Sequence, residues 1–331
     1  MFLLLTLVLL AAPFQGVRGG ASETDTTIAV TPGTRLKLDN QGGDILIHTW
    51  EKNQVRIQAS HSRRTHVEVR HSGAVLSLEA EADRGPANMV DYELTVPTWM
   101  PLDLGGMYAT VTIEGSKAPI TVQTLEGDIN VKGGAESVKL STTTGKLVLS
   151  GARGNIELNS VSENIEGSDL QGDIHAETVS GDISLRRVDA KSVEVEAVSG
   201  DLIFDGRIMD GGRYSFLTHS GDISVSIPEG ANATVATAVA SGDVRASFTL
   251  PATERAGRRR QTYRLGNGSA SVELETFSGD VQLLRPAEIA AKLDRKLKER
   301  QDREEEKARR KHKIKPDQDE DRGGADVPVG R

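Results

Sequence analysis

Apolar and polar residues alternate with period two along most of the chain, and the alternation keeps stopping at one tripeptide. Around Ser180-Gly181-Asp182, parity places Val179, Ile183 and Leu185 on one face and Ser180, Asp182 and Ser184 on the other. The same parity holds for Val198, Leu202 and Phe204, and for Ile223, Val225 and Ile227. It predicts short strands with a glycine pointing inward at each corner and Ser and Asp pointing to solvent. His219 takes the inward parity just before a corner, as a hydrogen-bonded packing residue.

Ser-Gly-Asp recurs at Ser199-Gly200-Asp201, Ser220-Gly221-Asp222, Ser241-Gly242-Asp243 and Ser278-Gly279-Asp280. Gly127 and Gly145 extend the series, and Glu163-Asn164 is a degenerate copy. The spacing is about 18 to 21 residues, a solenoid period. The last step, Gly242 to Gly279, is roughly double and holds an arginine-rich insertion, Pro251 to Arg260. A second series, Gly115, Gly134, Gly154, Gly172, Gly211 and Gly230, falls half a period away. Each repeat therefore has two corners and two strands. One such pair cannot bury its own inner face, and stacking buries all of them in one core. The expected fold is an all-β solenoid of about nine coils, a rod on the order of 40 Å long.

Residues 26–105 read as a run of strands between turns such as Thr31-Pro32-Gly33, and are expected to form a strand-rich N-terminal cap on the repeats of 106–285. At Pro286 the pattern changes to helical. Ile289, Leu293 and Leu297 form a short i, i+4, i+8 stripe fit to dock on the last coil. The helix is expected over 286–313, almost purely charged beyond Leu297, with a disordered acidic tail over 314–331.

Composition sharpens this picture. Aromatics are only 4% of the 331 residues against 37% apolar overall, which suits a narrow core of stacked Val, Ile and Leu. The 34 glycines suit a chain that turns often. A net charge of −8 argues against nucleic acid as a partner, because phosphate binding needs a basic face. With no cysteine there are no disulfides, thiolate metal sites or cysteine nucleophiles. Met1 to Ala12 are almost wholly apolar, and Gly19 and Ala21 stand at the −3 and −1 positions of a signal-peptidase site. Residues 1–21 are therefore read as a signal peptide, too short to span a membrane, although no Lys or Arg precedes the apolar run.

Candidate chemistry centres on Asp182, Asp201, Asp222, Asp243 and Asp280, which should stack at one corner as candidate calcium ligands. The competing reading is that each carboxylate closes its own turn on backbone N–H groups while the glycine supplies the dihedral. Carboxylates about 5 Å apart repel by roughly 1 kcal/mol in water and about 3 kcal/mol at an effective dielectric of 20. An exposed column bears that without a metal, and Lys146 and Asn164 interrupt it. No metal or cofactor is expected. His61, His66 and His71 alternate faces and read as exposed strand residues. Arg255, Arg258, Arg259 and Arg260 form a candidate contact for an anionic polymer.

Leu36-Lys37-Leu38-Asp39-Asn40-Gln41-Gly42-Gly43-Asp44-Ile45, Tyr92-Glu93-Leu94-Thr95-Val96-Pro97 and the repeated Ser-Gly-Asp-Ile together resemble the bacterial "putative adhesin" β-strand-repeat family, a domain of unknown function. The resemblance covers roughly residues 25–285. It implies a β-helix-like fold and an envelope or surface location, and brings no catalytic residues. The expected function is a non-enzymatic, exported, adhesin-like or scaffold module with a protein or glycan partner in the periplasm or at the cell surface. The alternative is a glycan-active β-helix enzyme, whose carboxylates would come from different coils.

Overall fold

The computed structural model describes residues 21–83, 85, 89–251, 254–255 and 260–313. The apolar leader over residues 1–20, the arginines Arg258 and Arg259, and the tail 314–331 lie outside the described residues. Among the described residues the chain is all-β, with a long parallel sheet and a single C-terminal helix. It divides into two compact units, with the break between Gly181 and Asp182.

In the first unit the long strand Arg35–Trp50 bends at Gln41-Gly42-Gly43, so its halves enter two separate parallel ladders. In one ladder Leu36, Leu102, Ile120, Val138, Ile156 and Ile174 stand side by side on successive strands. In the other the row is Ile45, Val111, Ile129, Leu147 and Ile165. Every residue in both rows is buried. Like stacks on like because each repeat offers the same side chain at the same height, and one large aromatic, Tyr92, is buried beside Ile45. The strand Leu102–Ser116 takes part in both ladders.

Antiparallel strands gather at the N-terminal end of this unit. Ala21–Ala29 pairs with Gln54–Ser62, which pairs with Asp91–Pro97, and Thr65–Ser72 pairs with Val75–Ala82. His61 is buried there, bonded to Thr24 Oγ1 at 2.9 Å and to the Ser62 carbonyl at 3.0 Å, which corrects its exposed reading. His66 is exposed, 3.6 Å from the Glu81 carboxylate.

The second unit breaks the order of its own sequence. Strands Ala270–Ser278 and Val281–Leu284 lie between the repeat of Arg213–Ser220 and Ile223–Ser226 and that of Ala233–Ser241 and Val244–Ala246. Asp243 therefore follows Asp280 in space, not Asp222. The chain lays down the outer repeat first. Strand Arg260–Leu265 then covers its free edge in antiparallel register, Val235 opposite Tyr263, and the chain returns to fill the gap. The core here is aromatic: Phe204 packs on Phe216 and Tyr214 with ring centroids 5.2 and 6.0 Å apart.

The helix, α1, spans Pro286–Lys313. Its first turn is fixed by Glu288, whose carboxylate accepts the Arg285 N–H at 3.1 Å. Ile289 and Leu293 are buried against Ile203 and Leu284. Leu297 is 39% exposed, so the apolar contact lasts two turns and not three.

Candidate functional site

The corner is where the repeats lock together. At Gly279, φ is +151°, and a Cβ would lie 2.0 Å from the Gly221 carbonyl oxygen. A Cβ at Gly242 would likewise lie 2.1 Å from the Gly279 carbonyl oxygen. The approach recurs at Gly127, Gly145, Gly181 and Gly221, and Gly200 shares the positive φ. The glycine is thus demanded by the neighbouring corner's backbone rather than by crowding in the core.

Parity does not run straight through the corner. Val179 and Val198 are 46% and 53% exposed, where alternation had placed them with the core. Thr178 is buried in place of Val179. Period two holds only within one extended strand, and the positive-φ glycine resets it. His219 is turned outward with them, its ring stacked on Phe277 at 4.9 Å, which corrects its reading as a packing residue.

The buried threonines form a second lock that sequence reasoning missed. Thr142, Thr178, Thr218 and Thr276 lie three residues before their glycines, or before Gly145 in the first case. Thr218 Oγ1 donates to the Gly200 carbonyl at 3.2 Å, and Thr276 Oγ1 to the Gly221 carbonyl at 3.1 Å. The signal was the recurring Thr-x-Ser-Gly-Asp itself. Thr276→Val keeps the shape and removes the donor, and should lower stability by about 1 kcal/mol in urea unfolding.

The aspartates bond across repeats, not within their own turns. Asp182 Oδ1 accepts the Asp201 N–H at 2.9 Å, and Asp201 Oδ1 accepts the Asp222 N–H at 3.0 Å. Asp222 Oδ1 takes the Asp280 N–H at 2.8 Å, and Asp280 Oδ1 takes the Asp243 N–H at 2.9 Å. Asp128 serves the Lys146 N–H in the same way at 2.7 Å in the first unit, so the lysine keeps the ladder through its backbone. Each carboxylate satisfies an amide that would otherwise be left at the turn.

The second oxygens of Asp182 and Asp201 face α1. Lys296 Nζ lies 3.0 Å from Asp182 Oδ2 and 2.7 Å from Asp201 Oδ2, and Arg300 reaches Asp182 Oδ2 at 3.0 Å. Lys292 Nζ donates to Ser224 Oγ at 2.7 Å and Gln282 Oε1 at 3.1 Å. Arg186 pairs with Asp294 on the other flank. Burial pushes the Asp182 carboxyl up, but the Asp201 amide, Lys296 and Arg300 together hold it below the ordinary carboxylate range. Burial pushes Lys292 down, against the raising field of Asp222 and Asp201. The cationic side chains of α1 thus stand at Asp182 and Asp201, two of the carboxylates offered as calcium ligands, while Arg245 pairs with Asp243 and Asp280. Among the described residues no group of three or more His, Asp and Glu is placed to hold a metal ion.

Of the arginine cluster, Arg255 lies in a short strand paired with Arg260–Leu265, and Arg260 faces Glu275 at 3.9 Å. Among the described residues no helix is long and apolar enough to cross a membrane.

Parallel strand pairs that stack at recurring corners of glycine, threonine and aspartate within each unit define a β-repeat protein. The chain belongs to the Toastrack DUF4097 family, whose model matches residues 33–284. The family resemblance read from the repeats is thereby shown. The match ends two residues before α1 begins. Among solved structures it is similar to a "putative adhesin" from Bacteroides fragilis, with 12% identity over 79% of this chain and 97% of that one, at a TM-score of 0.37. A "putative adhesin" from Parabacteroides distasonis matches at 11% identity over 79% and 97%, with a TM-score of 0.35. A "putative lipid binding protein" from the same species matches at 12% identity over 80% and 97%, with a TM-score of 0.30. None of the curated proteins matches the chain.

Proposed function

We propose that the protein is a non-enzymatic binding or scaffold module of the cell envelope. In this reading it is a β-solenoid with a strand-rich cap over residues 26–105 and coils over 106–285. It is exported to the periplasm or cell surface, adhesin-like, and engages a protein or glycan. The observation that carries the reading is the fate of the aspartates. A carboxylate whose one oxygen bonds the next repeat's amide is committed to holding repeats together. The repeats then act as a rigid support, and binding falls to the faces and turns they position. Export rests on the leader Met1–Ala12 and the site at Gly19 and Ala21.

The test incubates the mature chain with a panel of envelope and plant polysaccharides. Retention on at least one of them, with no new reducing ends or unsaturated products, is the expected result. Steady release of such ends would replace the module with the glycan-active enzyme. N-terminal sequencing of the protein from the periplasmic or surface fraction should begin at Ser22.

A further inference from the structure

The second glycine series takes no part in the ladder of aspartates. In the first unit three of its turns line an open cleft of about 530 Å³. Register sets Ser116 beside Gly133 and Lys132 beside Ser150, so the turns stand one above another on successive strands. Neighbouring strands are about 4.8 Å apart. Lys117, Lys132 and Arg153 line the cleft, against a single acid, Asp169.

These cations are available to a ligand. Lys117 pairs with Glu51 at 3.5 Å and Lys132 with Glu114 at 2.8 Å, but both lysines are well exposed. Exposed pairs of this kind are worth little and exchange readily for a multivalent anion. Among the described residues Arg153 has no acidic partner. Ser150 supplies a hydroxyl, and at Gly151 nothing lies within 4 Å of where a Cβ would stand, so the wall is low there.

We propose that this cleft binds an acidic polysaccharide, with Lys117, Lys132 and Arg153 each meeting a carboxylate or sulfate along the chain. The volume suits a few sugar units. Three cations on successive turns suit a linear polyanion better than one isolated ion. The lining holds no aromatic platform for a neutral sugar face and no large apolar side chain to enter a bilayer. The inference rests on the reading of the protein as a binding module and names its ligand class and site.

The experiment is calorimetric titration of the mature chain with polygalacturonate in low salt. The variant Lys117→Gln/Lys132→Gln/Arg153→Gln should bind about tenfold more weakly. A charge-matched control, Arg35→Gln/Lys37→Gln/Lys139→Gln, should bind like the parent. Melting curves superimposable on the parent's establish that each variant is folded. Raising salt should weaken the parent more than the cleft variant. Equal affinity of parent and cleft variant overturns the site. A parent that ignores polygalacturonate overturns the ligand class, and so does cleft-dependent binding of a neutral glucan or of phosphatidylglycerol vesicles. None of these results touches the module reading, which falls only if product is released from a polysaccharide.

Discussion

Gly279→Ala should cost the second unit about 3 kcal/mol or more, the largest loss expected from a single methyl group in this protein. The added Cβ meets the Gly221 carbonyl oxygen at 2.0 Å, a backbone atom with no room to retreat. That carbonyl already accepts Thr276 Oγ1, and the adjacent Asp280 N–H is held by Asp222. Moving it strains two further bonds. The residue must also hold φ near +151°, which alanine adopts poorly. The repeat of Ala270–Leu284 is interior, so opening its corner parts neighbours on both sides. Gly211→Ala is the control. Its φ is +71°, but nothing lies within 4 Å of the new Cβ, so the cost should stay near 1 kcal/mol. Urea unfolding followed by circular dichroism compares the two midpoints. Equal midpoints would mean that the corner yields and that close stacking is not what selects glycine.

The same corner shows what a sequence can and cannot disclose. The period, the strand pairs and the family were legible because each depends on residues near one another in the chain. Ile120, Val138 and Ile156 repeat at one spacing and stack at one height. The order of levels was not legible. Asp243 precedes Asp280 in the chain, and nothing local says that the later repeat slides beneath the earlier one. Parity failed at Val179 and Val198 because one positive-φ residue is enough to exchange the faces of the strand that follows. The aspartates were rightly read as acceptors of backbone N–H groups, but the amide belongs to the next repeat rather than to the same turn. A bond between repeats leaves the same sequence trace as a bond within one. The partners of Asp182 and Asp201 were in plain view as Lys296 and Arg300, spaced along one helix face. Their meaning depended on where α1 lies, which its short apolar stripe alone did not fix.

That placement sets up the second large effect. Lys296→Glu should release α1 from the ladder. The parent lysine bridges Asp182 and Asp201 while only 23% of its side chain is exposed. A carboxylate there faces two others at close range, and the loss should approach 2 kcal/mol after solvent screening. Ile289 and Leu293 would then leave their contact with Ile203, and trypsin should cut within 290–300 many times faster. Hydrogen exchange at the amides of residues 290–297 should quicken with it, while the core strand Arg213–Ser220 stays protected. Acid distinguishes charge from bulk. In the parent, the depressed Asp182 carboxyl contributes stability that is complete above the unfolded value, near 4, and is lost as pH falls through the folded value. Acid should therefore loosen α1 in the parent. In Lys296→Glu the sign reverses, because protonating the three carboxylates removes their repulsion and lets the apolar turns dock again. A variant that loosens further in acid would show that Lys296 holds α1 by packing of its stem and not by charge.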